Sequence, residues 1–252
     1  MKTYFLKRCL LRKKINFMKI TFLILFSALS FSSFAQNDKK QWQKMPTIST
    51  QSIGISFQKF EGLNQSIAAF PQYKGLRDYM GTLSLGSMMV KKNFITGITA
   101  TGGSSMSGDR DKKSSALRFL GAQLNFGYDV IRSEKFMLYP LVGIGFEGYQ
   151  ARFNKDNSSV NFNDVLNSST TQNNIRPVKF TNSFATYNLG FGFTVKAPKC
   201  NNSIGFQAGY SGSFKDRAWK SSNMQSLANA PVDNLGRFQV GLVFSGMSHS
   251  MK

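Results

Sequence analysis

The sequence predicts an all-β chain: a single eight-stranded antiparallel up-and-down transmembrane β-barrel with long outer loops and short periplasmic turns. Three observations predict this fold. The chain opens with an export leader, and its later part alternates apolar with small or polar residues in segments of about ten residues. The connections between these segments are alternately long and short. Alternation with a period of two is typical of transmembrane strands, which can cross a membrane only as a closed barrel.

Residues 1–35 are interpreted as a cleaved secretory signal peptide. Basic residues crowd the start, residues 20–34 carry no charge, and Ser33-Phe34-Ala35 forms a small-x-small cleavage pattern. A membrane-spanning helix needs about 20 predominantly apolar residues, and this run is shorter and rich in serine. Met18 begins a complete signal peptide by itself, so residues 1–17 are interpreted as an upstream extension.

Removal of this leader leaves a strongly basic chain. Seven of the 32 basic residues and none of the 12 acidic residues lie in the leader, so 25 basic residues remain against 12 acidic ones, a net charge of +13. Such a balance favours polyanionic neighbours, and export argues for a phosphate-bearing membrane surface rather than nucleic acid. Cys200 is then the one remaining cysteine, which excludes an intramolecular disulfide.

The strands are assigned from alternation. In residues 185–196, Tyr187, Leu189 and Phe191 lie on one face, while the residues between them are polar or glycine. The predicted strands are 53–58, 82–90, 94–102, 120–129, 136–149, 185–196, 204–211 and 237–244. Aromatic residues near strand ends are expected to form girdles: Tyr128, Phe136, Tyr187 and Tyr210. This assignment makes 36–52 a periplasmic N-terminal segment, 53–244 the barrel and 245–252 a C-terminal tail.

The lengths of the connections support a barrel with both termini on the periplasmic side. Such a barrel of eight strands needs four long outer loops and three short turns. The predicted long loops are 60–80, 103–115, 153–180 and 213–234, and the predicted short turns are 91–93, 131–135 and 197–203. The long connections are rich in glycine, serine, asparagine and threonine, which is typical of loops.

A soluble lipocalin-like barrel or a β-sandwich is the alternative fold. It would show the same alternation, but with the apolar face turned inward. The polar face here is rich in small uncharged residues and poor in lysine and glutamate, whereas a solvated outer face usually carries more charge. Small uncharged groups suit the interior of a narrow barrel, which favours the membrane fold.

Taken together, the leader ending in Phe34-Ala35-Gln36, the glycine-rich alternating strands and the long polar loops resemble the small outer-membrane β-barrel (porin-like) proteins of Bacteroidota. The resemblance covers residues 36–244 and is one of pattern. It implies location in the outer membrane as a multi-pass barrel and a role in the cell envelope.

The sequence motifs predict no enzymatic activity, no cofactor and no metal site. Residues 143–148 match the dinucleotide pattern G-x-G-x-x-G, but they lie inside a strand pattern, whereas the motif works at a strand-to-helix turn. Some small barrels act on lipid A through serine and histidine, but the chain has one histidine, His249, and it follows the last strand. A serine nucleophile needs a base within hydrogen-bonding reach, so an outer active site is disfavoured.

Two charged residues are predicted to face the barrel interior. Alternation places Glu147 and Arg237 on the inward faces of the fifth and the last strand, both in the outer half. We expect them to pair across the interior and plug it. The alternative is that each is separately solvated at the rim.

Basic residues recur in or beside the predicted long loops. Phosphates of lipopolysaccharide are the expected partners, because cations attract them electrostatically. The alternative interpretation is that these cations are simply solvated side chains of ordinary loops. These residues are Arg110, Lys112, Lys113, Lys155, Arg176, Lys179, Lys215, Arg217 and Lys220.

An eight-stranded barrel is filled by its own side chains, which excludes a large diffusion pore. The expected function is therefore a non-enzymatic outer-membrane protein with a structural or surface-interaction role carried by its long loops. Two alternatives stay open. One is a narrow channel for small solutes, with a water path beside the inward-facing glycines Gly121, Gly190, Gly192 and Gly209. The other is an accessory subunit of an envelope or secretion assembly.

Overall fold

The fold was analysed in a computed structural model that describes residues 47–109, 112–131, 133, 135–196 and 202–248. The predicted signal peptide, Arg110, Cys200 and His249 lie outside the described residues. Eight long strands form one closed barrel: β1 (Thr47–Gln58), β2 (Tyr79–Lys91), β3 (Phe94–Gly108), β4 (Ser114–Tyr128), β5 (Phe136–Asn154), β6 (Val178–Lys196), β7 (Asn202–Ser213) and β11 (Gly236–Ser248). Every barrel strand pairs antiparallel with its neighbours in the chain, and β11 closes the ring on β1. The predicted fold class, a closed eight-stranded up-and-down barrel, is confirmed.

The two ends of the barrel differ in their connections. At the short-turn end, Lys92 and Asn93 join β2 to β3 with positive φ angles of 48° and 72°, the conformation of a two-residue type I′ hairpin. At the long-loop end lie three short strands, β8 (Arg217–Ala218), β9 (Lys220–Ser221) and β10 (Val232–Asp233), and three helices, α1 (Glu61–Ala68), α2 (Phe162–Asn167) and α3 (Ser169–Ile175). In the described part of the chain, no helix combines the length and the apolar composition needed to cross a membrane.

The wall extends further than the predicted 53–244. Thr47 pairs with Ser248, so residues 47–52 of the predicted periplasmic segment and 245–248 of the predicted tail belong to strands. The predicted long loop 103–115 is also wrong. Ser104 pairs with Arg118 and Gly108 with Ser114, which leaves residues 109–113 as the connection. The glycines and serines of this stretch have loop propensity, but cross-strand hydrogen bonds to β4 override it.

The apolar face of the wall points outward, which excludes the alternative of a soluble barrel with an inward apolar face. Leu83 and Leu120 expose 66% and 71% of their surface, and Ile144 exposes 56%. A continuous exposed apolar surface of this extent marks a membrane or protein interaction. Aromatic rings pair on the outer surface near both ends: Phe94 with Tyr128, Phe136 with Phe193, and Tyr187 with Tyr210.

The interior is layered. An apolar cluster fills the long-loop end: Phe60, Leu63, Ile67, Leu76, Met80, Leu117, Phe119, Tyr149, Ala151, Phe153, Phe184, Trp219 and Leu235. A second cluster fills the short-turn end: Ile48, Met88, Ile95, Met137, Tyr139 and Leu141. Polar side chains occupy the layer between them. The sequence predicts an inner face of small and polar residues. At both ends of the barrel the interior is instead large and apolar, because large side chains must fill the volume where the barrel is closed.

Candidate functional site

The polar layer is organised around an ion pair that crosses the barrel. Arg237 is the second residue of β11, and Glu147 lies on β5, three strands away around the wall. Arg237 Nη2 donates to Glu147 Oε1 at 2.6 Å, and the two side chains are 1% and 5% exposed. The structure thus places these two residues in direct contact and away from solvent, rather than solvated at the rim.

Further contacts satisfy most of the polar atoms of this pair. Tyr149 donates its hydroxyl hydrogen to Glu147 Oε2 at 2.7 Å. Arg237 Nη1 donates to Gln239 Oε1 at 2.9 Å, and the guanidinium lies 4.5 Å from the centre of the Phe119 ring. Taking two charges out of water is costly, and such bonds are what offset that cost.

Aromatic rings cover the ion pair on the side of the long loops. Phe60 lies at their centre, 5.1 Å from the ring of Tyr149, 5.3 Å from Trp219 and 6.2 Å from Phe184. Phe60 and Trp219 come from two different loops, while the other two rings come from the wall. We call Phe60, Tyr149, Phe184 and Trp219 the aromatic plug.

Asp233 holds the two loops of the plug together. Its carboxylate accepts from the backbone N–H of Gly62 at 2.7 Å and of Leu63 at 3.0 Å, and from Trp219 Nε1 at 2.8 Å. Phe60, which precedes α1, provides no side-chain cap to that helix. Asp233 therefore serves as the N-cap of α1 although it lies in a distant part of the chain. Its negative charge also stabilises the helix, because it lies at the positive, N-terminal end of the helix dipole.

Below the ion pair lies a small polar chamber of about 40 Å³. Thr82, Ser84, Gln123, Asn125 and Gln239 contribute to its lining. This volume has room for a few water molecules. Tyr139 and the rest of the short-turn cluster close the chamber below, and the ring of Tyr139 lies against Gly192, so that a Cβ added to this glycine would approach Cζ of the tyrosine to 2.3 Å.

Loop cations share their segments with acidic residues. Lys112 and Lys113 lie at the tip of the β3–β4 hairpin after Asp109, and Lys113 Nζ donates to Pro71 O at 3.0 Å. Lys155 precedes Asp156, whose pKa is lowered by hydrogen bonds from Ser158 and, to a smaller degree, by the charge of Lys112. Lys215 and Arg217 flank Asp216. Among the described residues, the predicted loop cations are divided over three connections: β3–β4, β5–β6 and β7–β11.

Lys179 differs, because it lies on the outer wall beside two cations that the sequence analysis missed. It pairs with Arg152 across β5 and β6, and Arg118 faces outward on β4. Arg118 was missed because strand 4 was predicted to begin at residue 120. The signal that identifies it is the alternation of Leu117, Arg118 and Phe119, with the two apolar residues buried and the arginine exposed.

The missed plug residues had a weaker signal. Leu63 and Ile67 are four residues apart, which is the spacing expected of a helix with one apolar face. Both are buried in α1. No local pattern marks Trp219 or Asp233. The G-x-G-x-x-G match at 143–148 lies within β5, and the described residues contain no group of three or more His, Cys, Asp or Glu side chains placed to hold a metal ion.

No protein-family model and no curated protein matches the chain. Solved structures of outer-membrane proteins are similar to it at low identity. Ail, the attachment invasion locus protein of Yersinia pestis, is 14% identical over 80% of this chain and 98% of its own, with a TM-score of 0.45; one of its structures is a complex with the heparin analogue sucrose octasulfate. Neisserial surface protein A is 9% identical over 80% and 97%, with a TM-score of 0.45. OprG from Pseudomonas aeruginosa is 13% identical over 82% and 97%, with a TM-score of 0.45. At such identity the function must be argued from this chain's own residues.

Proposed function

We propose that this protein is a non-enzymatic β-barrel of the bacterial outer membrane, exported through a cleaved signal peptide, with a structural or surface-interaction role. The observation that carries the proposal is the combination of an apolar outer wall with a closed interior. Leu83, Leu120 and Ile144 are more than half exposed on the wall, while the ion pair and the aromatic plug fill the interior. An apolar wall of this kind is stable only against the hydrocarbon of a membrane. Because the interior is filled, contacts with other molecules are made by the outer surface and the loops.

The long-loop end then faces the cell exterior, and the short-turn end faces the periplasm. This orientation exposes Lys112, Lys113, Lys155, Lys179, Lys215 and Arg217 to the outer leaflet and its surroundings. Phosphate groups of lipopolysaccharide are the partners that suit them, because hydrogen bonds between cations and phosphates are strengthened by charge.

The test is purification in mild detergent from native outer membranes, with boiled and unboiled samples compared by electrophoresis. We expect recovery in the outer-membrane fraction and a faster-migrating unboiled band, since a closed barrel resists the detergent until it is heated. A soluble protein, or a band that does not shift on heating, contradicts the proposal. Partners that co-purify in fixed ratio would instead make it an accessory subunit of an envelope assembly.

A second candidate function, a narrow channel for small solutes, is favoured by the polar chamber. Its lining includes Gln123, Asn125, Gln207 and Gln239, and hydrogen-bonding side chains of this kind line narrow paths for water and small polar solutes. The aromatic plug argues against an open path. Planar-bilayer recordings decide: steady conductance from the wild-type protein supports the channel, and its absence supports the closed barrel.

A further inference from the structure

The outer wall carries a cluster of three cations above its apolar band. Arg118, Arg152 and Lys179 lie on the outward faces of β4, β5 and β6, and all three are exposed. Arg152 is directly opposite Lys179 in the pairing register, while Arg118 pairs with Gln150, two residues from Arg152. Side chains directly opposite lie about 5 Å apart at Cβ, and diagonal ones about 7–8 Å. We call these three residues the wall cluster.

This cluster has no acidic counterpart on the wall. Glu147 is the one acidic residue in the eight barrel strands, and it points inward to Arg237. The ion pairs found among the described residues, Lys59–Glu61 and Arg237–Glu147, do not include the wall cluster. Arg152 donates from Nε to Asn154 at 3.2 Å, and this contact leaves its terminal nitrogens available. Three like charges placed side by side repel one another, so an anion bound between them lowers the energy of the site.

An open apolar groove of about 860 Å³ runs along the outer wall across β1 to β4, and its lining includes Ser104 and Leu120, which neighbour Arg118. Its floor is made of small residues, Gly81, Ala100 and Gly102, and its sides include Leu83 and Leu120. Ser104 at its upper end is the direct cross-strand partner of Arg118, and Leu120 follows Arg118 on the same outward face of β4. The groove and the cluster therefore form one continuous surface, apolar below and cationic above.

We propose that this surface binds an acylated, phosphate-bearing lipid of the outer leaflet. The wall cluster holds the phosphate, and an acyl chain lies in the groove over Gly81 and Gly102. The inference rests on the proposed placement in the outer membrane and specifies the lipid-binding surface. It also ranks the cations: the wall cluster binds the phosphate, while the loop cations, which share their segments with Asp109, Asp156 and Asp216, contribute less.

The experiment uses the folded full-length mature protein in detergent, with lipid A and enzymatically dephosphorylated lipid A as probes and native mass spectrometry as the readout. The test variant is R118Q/R152Q/K179Q, and the matched control is K112Q/K113Q/K215Q, which removes the same charge from the loops. We expect the test variant to bind lipid A on the order of 10- to 100-fold more weakly, whereas K112Q/K113Q/K215Q should weaken binding much less, because the loop cations contribute less than the wall cluster. Dephosphorylated lipid A should bind the wild-type protein as weakly as lipid A binds the test variant.

The groove is tested by filling it. A Cβ at Gly81 meets no atom within 4 Å, and one at Gly102 approaches nothing closer than 3.7 Å, so G81L/G102L folds without a clash at Cβ. This variant should weaken the binding of lipid A while leaving the wall cluster intact. Each variant must keep the heat-shifted band of a folded barrel.

The outcomes separate the two proposals. Equal binding by the wild-type protein and R118Q/R152Q/K179Q, or equal binding of the two lipids, overturns the lipid site while a heat-shifted outer-membrane barrel still stands. Loss confined to K112Q/K113Q/K215Q moves the contact to the loops and also overturns it. A chain that is not recovered from the outer membrane as a folded barrel overturns the proposed function itself.

Discussion

Arg237 on β11 donates to the carboxylate of Glu147 on β5 at 2.6 Å, ninety residues away in the chain, and both side chains are buried. The pair ties together two strands that do not touch in the sheet. The contact lies directly beneath the aromatic plug, since Tyr149 both donates to Glu147 and packs against Phe60. The buried ion pair and the aromatic plug that closes the barrel are therefore linked through Tyr149.

Replacement of Glu147 by Gln should destabilise the barrel by about 3–5 kcal/mol, because it leaves the guanidinium of Arg237 buried without its counter-charge. Unfolding in urea, followed by loss of the faster-migrating band, measures the change in free energy. The double variant Glu147→Gln/Arg237→Met removes both charges and should lose less stability than the single one. An unchanged stability of Glu147→Gln contradicts a structural role for the pair.

Replacement of Asp233 by Asn should loosen α1 at a cost of about 1–2 kcal/mol, because the charged cap of Gly62 and Leu63 is lost. Hydrogen exchange at these two backbone amides should increase more than exchange in the barrel strands. Asp216→Asn, an exposed acid in the same loop, is the matched control. If both variants exchange like the wild-type protein, Asp233 does not hold the plug.

Trp219→Ala removes the largest fully buried side chain of the plug and should cost about 3–5 kcal/mol through the cavity that it leaves. The same variant tests closure. If the plug blocks the barrel, Trp219→Ala should conduct in planar bilayers more than the wild-type protein, while the ion pair remains as a second barrier. Stability equal to wild type would show that Trp219 is not packed as described.

Gly192→Ala should destabilise the barrel by about 1–3 kcal/mol, because the new Cβ meets the ring of Tyr139 at 2.3 Å and the ring must move. Gly81→Ala is the control, since its Cβ meets no atom within 4 Å and should leave the unfolding free energy nearly unchanged. Urea midpoints of the two variants provide the comparison. Equal losses would mean that strand propensity, rather than the cross-strand ring, sets the cost.

Local pattern was enough to predict the strands, because their side chains alternate between hydrocarbon and interior. Apart from Asp129, every residue of the eight predicted strands lies in an observed strand. The pattern was not enough at the long-loop end. Gly102 to Gly108 have loop composition, yet residues 103–108 pair with β4. Their conformation depends on hydrogen bonds to residues beyond the turn, which composition does not report.

Arg118 shows the same limit at the proposed lipid site. Its position on the outward face follows from alternation once β4 is known to begin at Ser114. Its nearness to Arg152 and Lys179 follows from the register of three strands, and register is a property of the closed sheet. The groove beneath it needs three further strands, since Ile53 of β1, Leu83 of β2 and Gly102 of β3 also line it.

The sequence alone determined the class of fold, the number of strands and the inward direction of Glu147 and Arg237, because each depends on a period of two or on connection length. Only the tertiary structure decided that the apolar face is outward, that these two charges touch, and that Phe60, Trp219 and Asp233 close the barrel. The contacts of Glu147 with Arg237 and of Asp233 with Gly62 and Leu63 join residues 90 to 171 positions apart in the chain. Closure of the barrel brings such residues together through strand register and stagger, which no local stretch of the chain encodes.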